Sequence, residues 1–167
     1  MRFASAVGFA TLAAGLGATP GALAAGTCTA RSTWGAATPN FERQVLTLVN
    51  QHRRAIGLRP LRRSVSLTRA ARWKSKHMAR YRYFEHSDPS GRSVFQRIAD
   101  CGFKSRLALG ENIAAGQRTP QSVVRAWLNS PGHRRNIEYP SFRYIGVGAV
   151  HLRGSQYGWY WTQDFGR

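Results

Sequence analysis

With 167 residues, the chain has room for one domain with a real core and not for two. Lys and Arg total 25 against 7 Asp and Glu, a formal charge of +18, so its surface attracts polyanions. The cations are overwhelmingly Arg and are scattered, as at Arg53, Arg54, Arg62, Arg63, Arg134 and Arg135. They are not interleaved with aromatics in a nucleic-acid motif, which argues against nucleic acid and leaves anionic lipid headgroups and acidic envelope polymers.

Residues 1–24 read as a secretory signal. Arg2 supplies the positive start, Val7 to Gly17 a short apolar run, and Ala22-Leu23-Ala24 a small-residue cleavage pattern. The run is too short for a membrane span, so the mature chain is expected to carry no transmembrane segment and to work outside the cell or in its envelope. No leucine stands three positions before Cys28, as a lipid-attachment signal would require. Export into an oxidising compartment favours a disulfide between the only two cysteines, Cys28 and Cys101. Closing so long a loop stabilises by roughly 4 kcal/mol in the chain-entropy model.

Residues 25–38 are small and polar without periodicity, and read as a loosely ordered linker apart from Cys28. The domain is expected over 39–167. Thr38-Pro39 offers an N-cap and a proline at the first helical position; Phe41, Val45, Leu48, Val49, His52 and Ile56 then share a helical face that Gly57 stops. A second helix is predicted from about Ser66 to Tyr81, with Lys74 snorkelling at the edge of its apolar stripe. The stretch 83–91 is turn-rich, Ser93 to Cys101 reads as a short helix, and Gly110 to Ala114 is a short apolar segment carrying Glu111. Thr119-Pro120 launches a helix over 121–129 with Val123, Val124 and Trp127 inward, which Pro131-Gly132 is expected to end. From Tyr144 the period becomes two, and a turn near Gly154 returns the chain through a second strand, Tyr157 to Phe165. Helices followed by a terminal hairpin predict an α+β domain with helices packed on an antiparallel sheet.

Of five histidines, His52 and His77 lie within helices and His151 in a strand, where packing explains them. His86 and His133 stand at element ends beside turns, where side chains from separate segments converge. Imidazole pairs are common ligands for zinc and copper. Glu111 is a carboxylate in an apolar stretch and needs a partner: a histidine, a metal-bound water, or one of the many arginines. No zinc-protease helix, nucleophile elbow or phosphate loop is present.

Five ordered segments, Tyr83-Phe84-Glu85-His86, Gly110-Glu111-Asn112-Ile113-Ala114, Trp127 to Ile137, Ile145-Gly146-Val147-Gly148 and Tyr160 to Gly166, together resemble the bacterial branch of the CAP superfamily of cysteine-rich secretory, antigen 5 and pathogenesis-related 1 proteins. The resemblance runs from about Phe41 to Gly166. It implies a three-layer α-β-α sandwich with a central antiparallel sheet and a cleft lined by two histidines and two acidic residues. His86, Glu111 and His133 match three of those positions, while Ser130 stands where many animal and plant members carry a glutamate. The resemblance also implies that His86 and His133 can hold Zn2+ or another divalent metal.

Three functions follow as expectations. The first is a secreted protein whose cleft binds a metal or a small or lipid-like ligand without turnover. The second is a metal-dependent, peptidase-like hydrolase with Glu111 as the base. The third is a basic domain that adheres to anionic envelope polymers.

Overall fold

The computed structural model describes residues 28–104 and 107–167; the leader read over 1–24 lies outside them. A 3-10 turn at Ser32–Trp34 leads into β1 (Ala36–Ala37), α1 (Pro39–Ala55), β2 (Arg62–Arg63), α2 (Val65–Tyr81) and α3 (Val94–Asp100). There follow β3 (Leu109–Ala115), α4 (Pro120–Asn129), α5 (Pro131–Glu138), β4 (Tyr144–His151) and β5 (Trp159–Gly166). Local chemistry sets the helix starts. Ser64 accepts a hydrogen bond from the Leu67 amide, Ser93 forms a reciprocal box with Gln96, and Thr119 does the same with Ser122. Pro39 and Pro120 occupy the first turns of their helices, although the Thr38 hydroxyl makes no capping bond.

The sheet runs β1-β4-β5-β3, antiparallel throughout, and β2 adds a two-residue parallel pairing on β4. On one face α2 lies across β4 and β5, with α3 beside it; on the other, α1, α4 and α5 pack together. Side-chain alternation fixes these faces. Ile145, Val147, Ala149, Trp161 and Phe165 join Val45, Val49, Val123 and Trp127 in the main core. The opposite face of β4 presents Gly146 and Gly148, where an added Cβ would lie 2.0 and 2.4 Å from backbone atoms of Leu67 and Ala71. Any side chain there would lift α2 off the sheet. The outcome is the expected α-β-α sandwich.

Three expectations are corrected. The described part of this stretch, residues 28–38, is built into the fold, not loose: Trp34 is buried edge-on against Trp73, His77 and Tyr81, and Ala36 and Ala37 pair with His151 and Val150. The buried indole, the pairing of β1 with β4 and the Cys28–Cys101 bridge together offset the ordering entropy of this segment. The helix launched at Thr119 ends at Asn129 as expected, but Pro131-Gly132 opens a further helix where a turn was expected. Pro131 sits at the first position of a new helix, where its missing N–H costs nothing, so His133 stands in the first turn of α5. Lys74 does not snorkel: it is fully buried, and its Nζ donates to the carbonyls of His86 and Ser87 and to the Tyr83 hydroxyl. The expected Cys28–Cys101 disulfide is present and ties the N-terminal segment to the end of α3.

Candidate functional site

The candidate residues meet at β3, which lies at the edge of the sheet and, among the described residues, pairs only with β5. Glu111 faces α2 and α3, Asn112 faces α5, and the loop carrying His86 and the first turn of α5 approach from opposite sides of the sheet. On the first side, His86 Nδ1 is 2.8 Å from Glu111 Oε1, and Arg97 of α3 donates to Glu111 Oε2. Arg97 also donates to Asp164 Oδ1 at 3.0 Å. Glu111 and Asp164 are direct cross-strand partners, an arrangement two carboxylates resist unless a cation stands between them. Arg97, buried to 1% exposure, is that cation.

Burial pushes the Glu111 carboxyl up, but the Arg97 charge, the His86 hydrogen bond and Lys74 together hold it below the usual carboxylate range. Burial and the Glu111 charge win at Asp164, whose carboxyl is raised despite Arg97. The pair titrates as a unit. Of the two, Asp164 is the carboxyl on which a proton is favoured and Glu111 the one on which charge is favoured. Burial pulls the Lys74 ammonium down to about 8, against the pull of Glu111.

On the second side, Asn112 Nδ2 donates to the His133 carbonyl, and Asn136 Nδ2 donates to the Asn112 side chain and to the Glu111 carbonyl. These bonds lock α5 to the strand edge and fix where His133 projects. Its imidazole is half-buried, and burial followed by the nearby His86 charge lowers its proton affinity. The structure thus links His86 to Glu111 directly and brings His133 within electrostatic reach of His86. Ser130 caps the junction between α4 and α5, but its side chain makes no capping hydrogen bond. His52 pairs with Glu138 instead, and His151 lies against Trp159.

The sequence reading missed Arg97, Asp164 and Lys74. Asp164 is one of seven acidic residues and alternates along β5 onto the Glu111 face, a signal available from register alone. Arg97 is one arginine among many and carries no such mark.

Because Glu111 Oε1 occupies His86 Nδ1, the ring directs Nε2 outward, the orientation that carboxylate-supported metal-binding histidines adopt. Among the described residues no three His, Cys, Asp or Glu side chains converge as a metal cluster. A divalent ion held here would rest on the imidazoles of His86 and His133.

A layer deeper, His77 stacks on Trp73 with ring centroids 4.2 Å apart, and its Nδ1 is 2.8 Å from the Tyr83 hydroxyl. Since Lys74 donates to that oxygen, the phenol proton points to His77 Nδ1. Burial and surrounding cations hold His77 down to about 4, outweighing Asp88. The unfolded chain takes up this proton at the ordinary pKa near 6.5, so the contribution is full above about 6.5 and is lost as pH falls towards 4. We expect acidification across this window to cost on the order of 2 kcal/mol. Urea midpoints of wild type and His77→Phe, taken from pH 7 to 4, should converge as pH falls; parallel curves would assign the loss elsewhere.

With this geometry in place, comparison with known proteins decides the family. A family model described as the cysteine-rich secretory protein family, CAP, matches residues 46–165. The chain belongs to the CAP family. It is 44% identical over 125 residues to the uncharacterized protein YkwD of Bacillus subtilis, covering 75% of this chain and 46% of that protein. An extracellular protein containing an SCP domain from Bacillus anthracis superposes with a TM-score of 0.69 at 29% identity, over 77% of this chain and 41% of that one. An outer surface protein of Borrelia burgdorferi shares the fold, with a TM-score of 0.72 at 21% identity over 80% of this chain and 98% of its own. The chain thus spans less than half the length of the two Bacillus proteins.

Proposed function

We propose that this CAP domain works outside the cytoplasm as a binding protein, with His86 and His133 holding a divalent metal such as Zn2+, or the polar group of a small ligand, without turnover. The disulfide supports the location, because such bonds persist in oxidising compartments. No helix among the described residues is long and apolar enough to cross a membrane. One observation carries the choice of binding over hydrolysis: both Glu111 oxygens are engaged, one by His86 and one by Arg97. Held ionised in this way, the carboxylate orients an imidazole and is poorly disposed to take a proton from water. A bound cation would supply Lewis acidity and a fixed charge; the protein's own part is to hold two imidazoles at the mouth of a charged, buried network.

Calorimetric titration of the purified protein with zinc tests the reading. His86→Ala and His133→Ala should each weaken binding at least tenfold. Glu111→Gln should have an intermediate effect through the orientation of His86, while His52→Ala and His151→Ala should leave affinity intact. Protons compete with metal for the same nitrogens, so affinity should fall between about pH 7 and 5. Unchanged zinc affinity in His133→Ala would sink the site.

A further inference from the structure

The cationic surface is not evenly spread. A pocket of about 380 Å³ lies along α2, walled on one side by Cys28, Ala30 and Ala37 and on the other by Arg69, Arg72, Trp73 and Lys76, with Arg63 of β2 at its rim. A second pocket of about 240 Å³ continues towards α1 over Ile145 and Val147 and includes Arg43 and Glu42. The two share Arg63, Thr68 and Arg72, so they form one trough. Arg43, Arg63, Arg69, Arg72 and Lys76 face Glu42 alone, five cations against one carboxylate.

Glu42 is itself consumed, gripped bidentately by Arg72. Other carboxylates are committed elsewhere: Asp88 and Asp100 to Arg92, Glu111 and Asp164 to Arg97, and Glu138 to His52. Arg69 donates to the Cys101 carbonyl, a neutral acceptor, and has no ion-pair partner among the described residues. Arg63 and Lys76 have no ion-pair partner among the described residues. Burial, then the neighbouring Arg72 charge, lowers the Lys76 ammonium, as expected where cations crowd without counter-charge.

We propose that this trough binds an extended phosphodiester polyanion of the cell surface. Charge alone would serve a membrane equally well, but shape does not. A concave channel with cations strung along its length admits a single strand and excludes a planar bilayer. Its residues line α1, α2 and β2, apart from the His86–His133 cleft, so the inference stands independently of the metal site.

The test uses fluorescein-labelled poly(glycerol phosphate) and anisotropy titration of the purified protein across a salt series. Arg63→Gln with Lys76→Gln should weaken binding at least tenfold at 0.1 M salt. Losing two phosphate contacts should also flatten the slope of log K against log salt by about 1.4, on the single-strand counterion scale. Arg118→Gln with Arg125→Gln removes the same charge from exposed positions around α4 and should change affinity less than twofold; His86→Ala should change it no more. Thermal melts establish that both double variants fold. Equal losses in the two double variants would reduce the effect to net charge and overturn the trough. So would absence of polymer binding by wild type at low salt, or equally tight binding to phosphatidylglycerol vesicles, which would assign the surface to membranes.

Discussion

Replacing Arg97 with methionine is expected to destabilise the domain by about 3 to 5 kcal/mol, because it strands Glu111 opposite Asp164 with no cation between them. Methionine fills comparable volume, so the loss is electrostatic and not a cavity effect. The pH dependence tells the two apart. In the wild type Glu111 is held low, so its contribution is present above the ordinary carboxylate pKa and fades as pH falls through its lowered value. Without Arg97 both carboxyls should titrate high, and the variant should regain stability on acidification as they take up protons. Denaturant titrations should therefore show a difference that grows from pH 5 to 8. Adding Glu111→Gln to Arg97→Met should recover part of the loss, since an amide needs no counter-cation. A pH-independent penalty that Glu111→Gln does not relieve would remove Arg97 from its place as the organiser of the pair.

This same cluster shows where sequence reading stops. The helix starts at Pro39 and Pro120 and the β4–β5 hairpin were legible because each rests on local chemistry: a proline at the first helical position, a period of two, a glycine turn. His86, Glu111 and His133 stand out in the sequence through motifs and position, and the fold sets His86 against Glu111. Arg97 and Lys74 do not stand out, because their roles depend on three-dimensional neighbours: two cross-strand carboxylates for one, and the carbonyls of the His86 loop for the other. A buried lysine satisfied by three oxygens looks, in sequence, the same as one snorkelling from a helix edge. Trp34 was missed for a related reason. Its aromatic partners come from α2, well along the chain, and nothing in the segment 25–38 announces them. The α5 start was misread because Pro-Gly is compatible with both a turn and a first helical turn; the bonds from Asn112 and Asn136 that hold α5 against β3 decide the matter in the fold.

Trp127→Ala should cost about 3 to 5 kcal/mol, and its consequences should reach the cleft. The side chain is 1% exposed, packed among Val123, Val124 and Trp161. Its Nε1 also donates to the Ile113 carbonyl at 3.2 Å. As an edge strand, β3 turns the carbonyls of Glu111 and Ile113 away from β5, where they would otherwise be free to pair with another strand. Asn136 satisfies the first and Trp127 the second. Two helix side chains thus close the strand edge on which Glu111 is mounted. Trp127→Phe separates the two contributions: it keeps most of the packing and removes the hydrogen bond, and should cost about 1 to 3 kcal/mol. Hydrogen exchange should then show faster opening of β3 amides than of β4 amides. Zinc affinity at His86 should fall as the orientation of Glu111 loosens. If β3 is no less protected in Trp127→Phe than in the wild type, the indole serves packing alone, and edge closure rests on Asn136.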